Sequence, residues 1–153
     1  MKCTVVILLG LFLAGCEPAK VDTAAETAAV NAVLDSYMQA VVNEDMEAYS
    51  ENVAHDAAMV NFGGFGDPIS GWAALQDVME QQNAALSETH IEVRDLDIHV
   101  SPDGKLAWAT CLWTLTAKMG EDPITLSLRC TWVLEKRADK WVIVHFHKSM
   151  AAG

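Results

Sequence analysis

The last predicted strand of this 153-residue chain carries two histidines, His145 and His147, spaced two residues apart. Side chains at this spacing point to the same face of a β-strand. Two imidazoles on one face could relay a proton or hold an anionic group near neutral pH. In the structural alternative, one histidine hydrogen-bonds a neighbouring strand or Ser149. The pair is therefore a candidate for acid–base chemistry or for ligand binding.

Arg129, on the preceding predicted strand, could bind a carboxylate through two parallel hydrogen bonds if its side chain points inward. That direction depends on the register of the closing hairpin. A two-residue turn at 138–139 places Arg129 opposite Lys148. A connection longer by one residue places it beside Ser149, on the histidine face. Because a slip of one residue exchanges the faces, Arg129 could lie in a pocket or in a dimer interface.

Two cysteines, Cys111 and Cys130, lie on strands that are expected to pair. If the hairpin between them turns near Gly120 and Glu121, they face each other directly. An oxidising compartment would allow a disulfide, and two free buried thiols are the equal alternative. No second cysteine or histidine pair has the spacing that completes a metal site. The glycine-rich segment 63–68 lacks the features of a phosphate loop, and no cofactor is predicted.

The elements that must position these residues follow two periodicities. An apolar stripe with helical spacing predicts a long first helix at 27–43. Asp45 can cap a second helix that runs toward Val53, and a third helix opens at 70–71 and ends before Ser87. Alternation and turn residues then predict four strands, at 89–100, 106–118, 124–136 and 141–149. This order indicates an α+β domain with helices on one face of a curved antiparallel sheet.

The N-terminus predicts an exported protein. Lys2 precedes an apolar run that is too short to span a bilayer stably, as in a secretory signal peptide. The sequence Leu13-Ala-Gly-Cys16 resembles the lipobox of bacterial lipoproteins, which implies removal of residues 1–15 and acylation of Cys16. An ordinary cleaved signal with an incidental cysteine is the alternative. The predicted product is a cell-envelope lipoprotein that faces the periplasm or the cell surface.

The charge of the chain limits its partners. It has 10 basic and 21 acidic residues, a formal net charge of −11, and loss of Lys2 with the signal makes this −12. An acidic surface argues against binding to nucleic acid or to anionic lipid headgroups, so membrane attachment must come from the lipid on Cys16. Residues 16–25 are short, small and polar and predict a tether. Residues 26–150 then suit one folded domain.

Several short sequence motifs resemble those of the SnoaL-like branch of the NTF2-like superfamily. They are Tyr37-Met-Gln-Ala40, Glu44-Asp45-Met-Glu47, Ala54-His-Asp56, Gly71-Trp-Ala-Ala-Leu75, Arg129-x-Thr131, and the closing run from Trp141 to Ser149. The resemblance covers about 25–149 and implies an NTF2-like cone, with three N-terminal helices packed in a strongly curved antiparallel sheet. Members often dimerise through the outer sheet face, which implies a homodimer. A dimer would also cover apolar side chains that a soluble monomer rarely exposes.

The resemblance also implies a pocket where the first helix meets the concave sheet face. Its expected ligand contacts are Tyr37, Asn61, Phe62, Trp113, Arg129, His145 and His147. Ketosteroid isomerases of this superfamily need an aspartate base, but the matching position here falls near Phe62, and 106–118 contains no acid. The leading hypothesis is therefore a lipoprotein that binds a small, partly apolar ligand without catalysis.

Two other functions stay open at this point. One is an isomerase, dehydratase or cyclase that uses His145 and His147 as acid and base. The other is a structural dimerisation or interaction domain, which is favoured if the cup proves to be filled by its own side chains.

Overall fold

The computed structural model describes residues 21–151. The predicted signal at 1–15, the lipid on Cys16 and most of the predicted tether lie outside this range. No helix among the described residues combines the length and the hydrophobicity needed to traverse a bilayer.

Three helices precede the main sheet, as predicted. They are α1 (Thr23–Val42), α2 (Met46–Asn52) and α3 (Gly71–Ala85), and a small ribbon of β1 (Val60–Asn61) and β2 (Ile69–Ser70) lies between the last two. The main sheet is antiparallel, in the order β3 (Leu86–Val100), β4 (Leu106–Met119), β5 (Asp122–Arg137) and β6 (Lys140–Ser149). The predicted α+β class is confirmed. The first helix starts earlier than predicted, so residues 23–25 belong to α1 rather than to a tether.

Aspartate side chains fix where the first two helices begin. The Asp22 carboxylate accepts a hydrogen bond from the backbone N–H of Ala25 (3.1 Å), and the Asp45 carboxylate accepts one from Ala48 (3.0 Å). Each bond satisfies a backbone donor that has no partner within the helix. The predicted capping role of Asp45 is confirmed.

The start of α1 is fixed at the end of the sheet where the β3–β4 and β5–β6 turns lie. Glu26 accepts hydrogen bonds from the Lys136 ammonium (2.6 Å) and from the Trp141 indole N–H (2.8 Å). Gly104, in the β3–β4 turn, has a φ of 66°, and a Cβ added there would lie 2.9 Å from Cγ1 of Val21. The described chain therefore enters the domain against the β3–β4 turn.

The core forms where α1 packs against the concave face of the sheet. Tyr37 of α1 is fully buried, and its ring lies 5.1–6.5 Å, between centroids, from the rings of Tyr49, Trp113, Trp132 and Phe146. Tilted and edge-on contacts at these separations are favourable for aromatic rings. The alternate residues of β4 and β5 that face this cluster are buried, which sets the inner face of the sheet.

A β-bulge in β6 exchanges the faces of its second half. Ile143 pairs with Leu134 and His145 pairs with Val133, so Val144 has no partner of its own in β5. An extra residue of this kind reverses the alternation beyond it. Trp141 and Ile143 point inward before the bulge, and the next inward-pointing residue after it is Phe146 rather than His145.

The bulge also resolves the register of the closing hairpin. The turn has two residues, Ala138 and Asp139, both with positive φ, and this prediction is confirmed. Arg129 nevertheless pairs with Ser149, because the bulge adds the residue that a longer turn would have added. Arg129 and the histidines therefore share a face, as one alternative predicted, but that face is the outer one.

Candidate functional site

A cavity of about 350 Å³ lies between α3 and the inner face of the sheet, at the end that carries the β4–β5 turn, and opens to solvent. Its floor includes the buried side chains of Val41, Leu75, Trp113 and Phe146. Its mouth is marked by exposed lining residues, among them Phe65 and Met119, whose exposed fractions are 63% and 54%. The volume lies within the range of small-molecule sites. The cone is therefore hollow at this end rather than filled by its own side chains.

The cavity wall is almost entirely apolar. Within the described part of the chain, Lys148 carries the one charged side chain that lines it and Gln82 the one amide. The remaining lining residues are glycine, alanine, aliphatic, methionine or aromatic residues. Such a surface favours a hydrocarbon or aromatic body over a polar one.

Asn61 holds the loop at one edge of the cavity. Its fully buried side-chain oxygen accepts a hydrogen bond from the backbone N–H of Phe146 (2.8 Å). The backbone of Phe62 continues this pairing, donating to the Phe146 carbonyl and accepting from the Lys148 N–H, both at 2.9 Å. These bonds attach the β1 segment to β6, and the lining residues Gly63, Gly64 and Phe65 follow directly.

Lys148 enters the cavity because of the bulge in β6. Its ammonium group donates a hydrogen bond to the Tyr37 hydroxyl (3.2 Å). It also lies 4.6 Å from the ring centroid of Trp113 and 5.0 Å from that of Phe146, distances that allow cation–π attraction. The floor of an apolar cavity is thus the site of a positive charge.

Cys130 and Cys111 lie beside this charge on the inner face. They pair directly across β4 and β5, as predicted, and both are buried free thiols in the structure. Their mutual hydrogen bond lowers the pKa of the Cys130 thiol, and the Lys148 ammonium lowers it further. The same hydrogen bond, together with burial, raises the pKa of Cys111 well above its ordinary value. The Lys148 ammonium thus favours the thiolate form of either cysteine.

The structure brings some of the predicted contacts to the cavity. Trp113 lines it directly. Tyr37 lies in the core beneath Lys148 and reaches the site through its hydroxyl group. Asn61 acts on the cavity edge through the backbone that it holds. These three residues surround or support the floor.

The four other predicted contacts lie outside the cavity, and their placement is corrected. Phe62 is exposed on the outer side, with its ring 5.8 Å from that of His145 and 5.4 Å from that of His147, between centroids. His145 is engaged by the backbone carbonyl of Val60 through Nδ1 (2.6 Å), and Arg129 donates to the carbonyl of Met150 (2.7 Å). Any ligand contact by these residues would be made on the outer face.

Lys148 is the functional candidate that the sequence prediction missed. Strict alternation from Trp141 and Ile143 places His145 and His147 inward and Lys148 outward. Phe146 is an apolar residue between two histidines and points inward. Its position was the sequence feature that could have indicated a change of inward and outward faces within β6.

The domain matches one protein family over most of its length. The sequence pattern of the SnoaL-like domain matches residues 30–153. The chain belongs to the SnoaL-like family. The resemblance of its short sequence motifs to the SnoaL-like domain is thereby confirmed. Among curated proteins, none matches this SnoaL-like chain in sequence.

Solved structures place the SnoaL-like domain in the NTF2-like fold. A candidate dehydratase of the NTF2-like family from Streptomyces avermitilis has a TM-score of 0.77 at 16% identity, over 85% of this chain and 99% of that one. An NTF2-like protein of unknown function from Pseudomonas putida KT2440 has a TM-score of 0.75 at 21% identity, over 86% of this chain and 90% of that one. An NTF2-like superfamily protein from Salmonella enterica has a TM-score of 0.76 at 18% identity, over 85% of this chain and 94% of that one. At these identities the likeness establishes the fold alone.

The described part of this SnoaL-like domain, residues 21–151, contains no group of three or more His, Cys, Asp or Glu side chains arranged to hold a metal ion.

Proposed function

We propose that this SnoaL-like domain binds a small, mostly apolar molecule in its cup and does not transform it. The observation that carries the proposal is the open apolar cavity of about 350 Å³. Each methylene group moved from water into such a site contributes about 0.8 kcal/mol. A ligand with a hydrocarbon or aromatic body can therefore bind through burial alone.

The make-up of the cavity wall favours binding over acid–base catalysis. General acid–base chemistry needs a titratable group within hydrogen-bonding reach of the substrate. Among the described residues, the one titratable side chain that lines the cavity is that of Lys148, and no aspartate, glutamate or histidine accompanies it there. His145 and His147, the acid–base pair of the alternative hypothesis, lie on the other face of the sheet. The open cavity also argues against a purely structural domain.

Filling the cavity should abolish binding of an apolar probe. Leu126 lines the cavity on β5, and a Leu126→Trp substitution would project an indole into it. The neutral dye N-phenyl-1-naphthylamine, followed by fluorescence, should bind the wild-type domain and bind this variant at least about tenfold more weakly, a loss of about 1.4 kcal/mol. Leu112→Trp is the matched control, because Leu112 is half-buried on the outer face. Wild-type protein that leaves the dye fluorescence unchanged would contradict the binding role.

We also propose that the domain acts as a homodimer through the outer face of its sheet. Apolar side chains are exposed there, including Leu106 and Trp108, with exposed fractions of 41% and 42%. Trp108 stacks on His99, with ring centroids 5.0 Å apart, so its large apolar surface is held in place. Covering such a face would remove this surface from water.

A charge on that face should separate the two protomers. Trp108→Glu would place a carboxylate where an apolar contact is proposed, and its burial without a partner is costly. Sedimentation velocity should show a dimer for the wild type and a monomer for Trp108→Glu. Ala74→Glu, on the exposed side of α3, should stay dimeric. A wild-type protein that sediments as a monomer at micromolar concentration would refute the dimer.

For the chain as a whole we propose an envelope lipoprotein, anchored by acylation of Cys16. The support is the lipobox-like sequence and a net charge of −11, which leaves electrostatic attachment to anionic lipids unfavourable. Its ligand would then be a molecule of the cell envelope.

A further inference from the structure

The floor of the cavity presents a positive charge to any ligand that enters. Lys148 carries three N–H donors and uses one of them on the Tyr37 hydroxyl. Within residues 21–151 its ammonium forms no salt bridge with a carboxylate. By contrast, the lysines that do form ion pairs among the described residues, Lys118 and Lys136, have glutamate partners. The Lys148 ammonium is thus a positive charge directed into an apolar site, with N–H donors that remain free for a ligand.

Aromatic rings surround this charge at the floor. Trp113 lines the cavity beneath the Lys148 ammonium, and the ring of Phe146 lies 5.0 Å from the same group, between the nitrogen and the ring centroid. A donor that lacks a hydrogen-bond partner in such surroundings costs free energy that an acceptor could recover. The floor therefore favours a ligand oxygen that accepts hydrogen bonds.

The rest of the cavity calls for the opposite chemistry. From Leu128 at the floor to Ile124 and Met119 at the mouth, β4 and β5 line it with aliphatic and methionine side chains, and Leu75 and Met79 of α3 face them. A ligand that satisfies the whole cavity thus has an anionic, acceptor-rich head at one end and an apolar body at the other.

We propose that the cavity selects amphipathic monocarboxylates, with the carboxylate paired to Lys148 at the floor and the hydrocarbon body extending to the mouth. This inference rests on the proposed ligand-binding function and names the class of ligand. The geometry favours it because the charge lies at the floor against the buried rings of Trp113 and Phe146, where a charge-assisted hydrogen bond is stronger than in bulk water.

A matched pair of probes tests the selection without altering the protein. Octanoate and 1-octanol share one hydrocarbon chain and differ in the head group. Isothermal titration calorimetry at 0.15 M salt screens the net negative charge of the domain beyond about 8 Å. Wild-type protein should bind octanoate about 10- to 100-fold more tightly than 1-octanol, the range expected for a hydrogen bond to a charged group. Equal affinities would overturn the inference.

A substitution then assigns the preference to one residue. Lys148→Met keeps an unbranched side chain of similar size and removes its charge, so octanoate should lose its advantage over 1-octanol. Lys148→Arg, which keeps a positive charge, should retain a preference for octanoate. Lys118→Met is the matched control, because Lys118 is paired with Glu88 away from the cavity and its loss should change neither affinity.

The outcomes separate this inference from the proposed function on which it rests. If 1-octanol and N-phenyl-1-naphthylamine bind but octanoate has no advantage, the cavity binds ligands and the role given to Lys148 is wrong. If octanoate keeps its advantage in Lys148→Met, another group recognises the anion and the inference is likewise overturned. If none of the three probes binds the wild-type domain, the ligand-binding function itself is refuted.

Discussion

Replacing Trp132 with alanine should lower the free energy of unfolding by about 3–5 kcal/mol. Trp132 is 1% exposed, and its ring lies 5.3 Å from that of Trp113 and 6.2 Å from that of Tyr37, between centroids. Its removal would leave a cavity at the contact between α1 and the sheet. Urea denaturation followed by circular dichroism measures the loss.

Two control substitutions isolate the cause of that loss. Trp108→Ala removes the same side chain from the outer face, where it is 42% exposed, and should cost roughly 1 kcal/mol or less in the monomer. Trp132→Phe keeps a ring in the core and removes an indole N–H that is buried without a partner, so it should cost less than Trp132→Ala. Equal losses for Trp132→Ala and Trp108→Ala would contradict the proposed centre of the core.

Replacing Cys16 with serine should release the full-length protein from membranes almost completely. An acyl chain contributes about 0.8 kcal/mol for each methylene group buried in the bilayer, and serine cannot accept it through a thioether. Fractionation of cells that express either form measures the change. Cys3→Ser is the matched control, since Cys3 lies within the predicted signal and its loss should leave the protein membrane-bound. A Cys16→Ser protein that still fractionates with membranes would end the lipoprotein proposal.

The sequence predicted the elements of the fold because their signals are local. The apolar stripe of α1, the capping aspartate before α2 and the two-residue turn at Ala138-Asp139 each depend on residues close together in the chain. The pairing of Cys111 with Cys130 followed from one turn of known position and an uninterrupted ladder. Where inward and outward side chains alternate along a whole strand, counting residues from the turn is enough to predict which residues pair.

The candidate site was predicted less well, because a single bulge decides which residues reach it. The run around Val144 contains no glycine or proline to mark the extra residue. Beyond the bulge, the faces of β6 exchange, so Lys148 enters the cavity and His147 turns outward. The arrangement buries Phe146 and places its ring 6.5 Å from that of Tyr37, between centroids, a contact between residues that are distant in the chain. Local sequence patterns carry no direct record of such a contact.

The contact between Val21 and Gly104 has a consequence for how the domain would stand on a membrane. It lies at the start of α1, whereas Val41 near the other end of that helix lines the cavity, and 20 helical residues span about 30 Å. A lipid on Cys16, as we propose, would hold the domain by the end opposite its mouth. The cup would then face away from the bilayer and receive its ligand from the aqueous phase. Loading would require the ligand to leave any lipid leaflet first, which favours molecules with measurable solubility in water over long-chain lipids.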